Sequence, residues 1–174
     1  MKKVYLVIGK AQNGKDTVAE KAMSLLEGNG KKCDHKAFAR LLKEQALSLG
    51  WNGEKDDAGR TFLQHLGDIM KEYHGKDYYA GHVLGQILTD VDDKVYFITD
   101  CRFKIELELF KNCPLIDAKT IRIVRKDFVS PLTKEQQNHP SEIDLDDIKE
   151  DYLIMNDGER EELDNKIKDM LESL

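Results

Sequence analysis

Apolar residues fall into two alternating patterns along this chain. Val4-Tyr5-Leu6-Val7-Ile8 is a continuous run of β-forming residues stopped by Gly9, the pattern of a central strand covered on both faces. Cys33–Phe38, Val95–Thr99, Thr120–Val124 and Tyr152–Met155 read as four further strands. Between them the spacing changes to the helical period. Val18, Ala22, Leu25 and Leu26 share a face that ends at Gly28-Asn29-Gly30, and Leu41, Leu42, Gln45, Ala46 and Leu49 share another. Phe62, Leu63, Leu66, Ile69, Met70 and Tyr73 predict a third helix, Val83, Leu84, Ile87, Leu88 and Val91 a fourth. Leu163, Ile167, Met170, Leu171 and Leu174 predict the last one. Ile105 to Phe110 fits both periods, and the alternation around it favours a helix. Strands and helices alternating in this way predict an α/β fold of three layers around a mostly parallel five-stranded sheet.

Two segments stand outside that rhythm. Trp51 to Gly59 is a polar connection. Residues 126 to 151 are polar, hold two of the three prolines and end in the acid-rich stretch Glu142 to Asp151, which reads as an excursion with a solvated face and little core of its own.

The chemistry begins where the first strand ends. Gly9-Lys10-Ala11-Gln12-Asn13-Gly14-Lys15-Asp16-Thr17 follows a strand and opens a helix, the context in which a Gly-x-x-x-x-Gly-Lys sequence forms a phosphate-binding loop. The glycines let backbone N–H groups converge, the helix start adds positive potential, and the Lys15 ammonium reaches the outer phosphates. Asp16 stands where Ser or Thr usually meets Mg²⁺, with Thr17 next. An acid there either complements the helix dipole or holds metal-bound water.

A second polar cluster follows the strand Val95–Thr99. Asp100 has the chemistry to hold a Mg²⁺ water or accept a proton from an acceptor hydroxyl, and Arg102 to grip a phosphate with two N–H groups; a strand-end ion pair is the plainer reading. Arg60 and Gln64 lie four apart and so share a helix face, suited to a phosphate and a base or simply to solvent. The histidines show no metal-ligand spacing.

Taken in order, these motifs resemble the phage and bacterial deoxynucleoside monophosphate kinases, relatives of adenylate kinase. The likeness comprises Gly14-Lys15-Asp16-Thr17, Phe38-Ala39 with Leu42-Lys43, Arg60 with Leu63-Gln64 and Leu66-Gly67, Ile98 to Phe103 with Glu106, His139-Pro140-Ser141-Glu142, and Asn156-Asp157-Gly158. It implies a P-loop nucleoside monophosphate kinase-like fold, one domain over 1–174, with acceptor-binding helices at about 40–91 and a small lid at about 126–150. It also implies transfer of the γ-phosphoryl of ATP, with Mg²⁺, to a deoxynucleoside 5′-monophosphate. Lys15, Asp100 and Arg102 would then be catalytic, the loop from Gly9 to Thr17 and Arg125 would hold ATP, and Arg60, Gln64 and Arg102 the acceptor. Mg²⁺ would meet Asp16 and Asp100 through water. The lid offers Lys126 and Lys134 where the family tends to carry arginine. Two other readings stay open: a P-loop kinase for another phosphorylated metabolite, and an ATP-binding regulatory module without turnover.

Composition narrows the surroundings. With 27 Lys and Arg against 33 Asp and Glu in 174 residues, the net charge of −6 opposes a nucleic-acid-coating protein. No apolar run approaches the ~18 residues that span a bilayer, and Met1 to Ile8 is too short for a signal core, so the expected location is cytoplasmic, without a membrane partner. Three isolated cysteines suggest reduced thiols. Either a monomer or a homodimer is compatible with the sequence.

Overall fold

The computed structural model describes residues 1–126 and 128–173, with the backbone alone at position 135. Leu174, assigned above to the last helix, lies outside the described residues. Five strands, β1 (Lys2–Ile8), β2 (Lys32–Lys36), β3 (Lys94–Ile98), β4 (Ile116–Val124) and β5 (Tyr152–Met155), form one sheet in the order β2-β3-β1-β4-β5. Every neighbouring pair is parallel. Helices α1 (Lys15–Gly28), α2 (Ala39–Ser48), α3 (Asp57–His74), α4 (Tyr78–Thr89), α5 (Lys104–Lys111) and α8 (Arg160–Ser173) join them, with two short helices, α6 (Lys134–Gln137) and α7 (Pro140–Ile143), in the excursion.

Both sheet faces are buried because β1 has no polar alternation. Val4, Leu6 and Ile8 pack with Tyr96, Ile98, Val83, Ile87 and Phe110, while Tyr5 and Val7 pack with Phe97, Ile121, Ile123, Val18, Ala22 and Ile167 on the opposite face. At roughly 1.5–3 kcal/mol for each large side chain taken fully from water, these two layers dominate stability. A parallel sheet of this kind delivers its ligand-binding loops at the carboxyl ends of its strands, here Gly9 after β1, Thr99 to Arg102 after β3 and Arg125 after β4.

Four local differences from the sequence reading have physical causes. Phe38 leaves β2 and starts α2, because both Asp100 carboxylate oxygens accept N–H groups there, from Phe38 and Ala39, at 2.9 Å each. The Asp56 side chain accepts the Gly59 N–H at 2.7 Å and so starts α3 at Asp57, ahead of Arg60. β4 begins at Ile116, with polar Asp117 and Lys119 hiding a strand that pairs with Lys2 to Ile8 of β1. On α3, Met70 packs on the core and Leu63, Gln64, Gly67, Asp68 and Lys71 border a cleft, while Phe62, Ile69 and Tyr73 lie on a third side, exposed to solvent. Among the described residues, no helix is long and apolar enough to cross a membrane.

Candidate active site

The loop between β1 and α1 is held open by its backbone. Gly9 and Gly14 have φ of 143° and 91°, and even Gln12 adopts a positive φ of 61°. A Cβ on Gly9 would lie 2.3 Å from the Ile123 carbonyl oxygen, so that position demands glycine for space as well as conformation; one on Gly14 would lie 2.5 Å from the side-chain amide nitrogen of Asn156 and would push that brace aside, and the positive φ there favours glycine in its own right. Two amides brace the curl: Asn13 Nδ2 donates to the Ile123 carbonyl at 3.2 Å, and Asn156 Nδ2 to the Asn13 carbonyl at 2.9 Å. Among the described residues, no protein acceptor meets the backbone N–H of Gln12, Gly14, Lys15, Asp16 or Thr17. Clustered free N–H groups at a helix start form an anion cradle.

Lys15 is buried in this cradle, its ammonium donating to the carbonyls of Gly9 at 2.8 Å and Lys10 at 2.9 Å. Burial, and next the Arg102 guanidinium, lower its pKa to about 8, against the opposing pull of Glu142, Asp16 and Asp100. The site therefore holds a cation that a polyanion would re-stabilise.

Two cavities flank the loop. One, of about 510 Å³, lies between the loop, the end of β4 and the α6–α7 excursion, and is lined by Gly9, Lys10, Asn13, Arg125, Phe128 and Glu142 among others. Arg125 stacks on Phe128 there, its guanidinium carbon 4.9 Å from the ring centre. The other, of about 640 Å³, lies between the loop, α2 and α3 and is lined by Lys15, Asp16, Lys43, Gln64, Asp100 and Glu106 among others. Ala11 and Arg102 line both.

The structure thus brings Lys15, Asp16, Gln64, Asp100 and Arg102 to one cavity wall and Arg125 to the other cavity. Arg60 is not on either wall: its Nε donates to the Lys55 carbonyl at 2.9 Å at the exposed rim. Thr17 is exposed in the first turn of α1. Lys43, Lys55 and Lys71 enrich the second cavity in positive charge, with the Lys71 ammonium 4.9 Å from the Phe103 ring centre. Sequence reasoning passed over Lys55, Lys71 and Phe128; the helical spacing of Lys71 from Gln64 was the available signal for one of them. Glu106, buried, takes the N–H groups of Arg102 and Phe103 on one oxygen at 2.9 and 3.1 Å, which fixes the backbone that aims Arg102. Among the described residues, no group of three or more His, Cys, Asp or Glu side chains is placed to hold a metal ion.

Comparison with known proteins bears on the fold and the family. The chain resembles two structures of the Mycobacterium tuberculosis APS kinase CysC. One is a Cys556Ala mutant, with 15% identity, TM-score 0.53, and 98% of this chain and 97% of that one covered. The other is in complex with AMPPNP and APS, with 12% identity, TM-score 0.54, and coverage of 99% and 96%. At such identities the likeness is one of fold. No curated protein matches the chain. A family model described as deoxynucleotide monophosphate kinase matches residues 23–167, which takes in Gln64, Asp100, Arg102 and the excursion, while the phosphate loop precedes it and stands on its own geometry. The chain therefore belongs to the deoxynucleotide monophosphate kinase family, nucleotide kinases that are ATP-dependent phosphotransferases.

Proposed function

We propose that this protein moves the γ-phosphoryl group of ATP onto a deoxynucleoside 5′-monophosphate. The observation that carries the reading is the meeting of two cavities at Ala11 and Arg102, directly beside the buried Lys15 ammonium. A donor in the first cavity and an acceptor in the second would face each other across a cationic junction, and positioning with charge neutralisation is the main work of phosphoryl transfer.

In this scheme the free N–H groups of Gln12 and of Gly14 to Thr17, with the Lys15 ammonium, hold the donor phosphates at the junction of the two cavities, and Arg125 with Phe128 borders the nucleoside. Arg102 bridges donor and acceptor phosphates with its planar fork, assisted by Lys43, Lys55 and Lys71. Arg60 joins from the rim when its bond to the Lys55 carbonyl is exchanged for the acceptor phosphate. Gln64, one turn away, offers both a donor and an acceptor to the base. Asp100 anchors the start of α2 beside the junction and keeps lone pairs free to accept a proton from a protonated acceptor phosphate. Asp16 and Asp100 would hold Mg²⁺ through water, and this hard cation would take its other ligands from phosphate oxygens and water. When bound, it would neutralise charge on the donor phosphates.

The test is direct. Purified protein with Mg²⁺-ATP and a panel of nucleoside and deoxynucleoside monophosphates should yield ADP and a deoxynucleoside diphosphate, and Lys15→Ala should abolish this while preserving the thermal midpoint. Turnover only with a non-nucleotide phosphate ester, or ATP binding without product from any acceptor, would overturn it.

A further inference from the structure

Glu142, in α7, reaches out of the excursion into the junction itself. Its side chain is only 10% exposed. Oε2 accepts the Ala11 N–H at 3.0 Å, and Oε1 accepts from Arg102 Nη1 at 2.7 Å. The Lys10 ammonium donates to the Glu142 backbone carbonyl and to both oxygens of Asp146, at 2.5 and 2.7 Å. The two residues whose donors Glu142 occupies, Ala11 and Arg102, are the two that line both cavities.

A carboxylate and a phosphoryl group make the same demands on such a place: N–H donors, a guanidinium fork and nearby positive charge. The two cannot share it. Like charges about 4 Å apart repel by roughly 1–4 kcal/mol at the effective dielectrics of water and of a protein surface. We propose that Glu142 is an internal stand-in for the transferred phosphoryl group, filling the anion position in the nucleotide-free protein and being displaced when a triphosphate enters. This rests on the kinase reading and adds a regulatory device to it. Phosphate entry and docking of α7 compete for one set of donors, so nucleotide loading unlatches the segment that borders the donor cavity. Until then the carboxylate keeps the junction's cations satisfied, and its charge supports the proton on Lys15.

The test uses the whole chain and AMPPNP. Glu142→Gln removes the charge with little change of shape. It should tighten AMPPNP binding by about fivefold or more, the lower end of ordinary coupling between two sites. In the wild-type protein AMPPNP should speed amide hydrogen exchange across residues 140–146, whose reporters include Glu142 N–H on the His139 carbonyl and Asp144 N–H on the Pro140 carbonyl. Weaker AMPPNP binding by Glu142→Gln, or slower exchange of those amides on nucleotide binding, would overturn the stand-in alone and make Glu142 a residue that stays to orient Arg102. Failure of both proteins to bind AMPPNP would overturn the kinase reading with it. The exchange measurement on wild type decides the question even if the variant folds poorly.

Discussion

Lys15 should make diphosphate binding fall with rising pH, by an amount that follows from its burial. Its pKa in the empty site is about 8, lowered first by desolvation and next by Arg102. ADP phosphates against the ammonium favour the charged form, so the bound-state pKa is the higher of the two. Affinity is then full below pH 8 and declines as the pH climbs through that value toward the bound-state pKa. For a free-state pKa of about 8 and a bound-state value raised beyond the interval, the protonated fraction makes ADP bind more than tenfold more weakly at pH 9.5 than at pH 7.5, on the order of 2 kcal/mol. Isothermal titration with ADP across that interval reads the effect directly. Lys15→Arg, whose guanidinium stays charged throughout, should flatten the profile even if its absolute affinity is lower. A wild-type affinity constant over the interval, or an equal decline in Lys15→Arg, would refute the assignment of the titrating group.

Asp100→Ala should destabilise the fold by about 1.5–3 kcal/mol, the ordinary worth of hydrogen bonds to a charged acceptor, because the α2 N–H groups of Phe38 and Ala39 lose their cap; urea unfolding gives the figure. Two glycine substitutions should act in opposite directions. Gly9→Ala places a Cβ against the Ile123 backbone at a positive φ and should cost more than about 2 kcal/mol, whereas Gly85→Ala, mid-helix in α4 with nothing within 4 Å, should gain about 0.4–1 kcal/mol. Differential scanning calorimetry of the pair against wild type checks both signs.

The sheet was legible because a doubly covered parallel strand has nothing to alternate: Val4 to Ile8 could hardly be read otherwise. The phosphate loop was legible because glycines with positive φ leave their mark in the sequence. What escaped were features set by distant partners. Nothing near Phe38 in sequence says that Asp100, 62 positions on, starts its helix. Arg60 and Gln64 share a helix face by spacing, yet the rim of the cavity separates them, since α3 presents Gln64 inward and leaves Arg60 bonded to Lys55. Periodicity gives the face, and only packing gives where the cavity wall ends.

The acidic stretch from Glu142 to Asp151 shows how net charge conceals local pairing. Read as a solvated face, it proves to be a strap in which all six acids have donors. Glu142 meets Ala11 and Arg102, Asp144 the Lys104 N–H, Asp146 Lys10, Asp147 Lys104, Glu150 Arg122, and Asp151 Lys111 with the Thr120 N–H. Leu145 and Ile148, three apart inside the run, anchor it to the core. The Arg122 guanidinium, which also donates to the Leu145 and Ile148 carbonyls, holds Glu150 below the ordinary carboxylate range. The strap is therefore asymmetric. At its far end Asp151 bonds Lys111 of α5 and the Thr120 N–H of β4, both off the cavity walls, and Arg122 is tied to Glu150 and to two carbonyls of the strap itself, while at its near end Glu142 and Asp146 hold groups of the phosphate loop. Competition from phosphate therefore loosens the near end first, and Leu145 is where release of α7 must stop if the core is to stay closed.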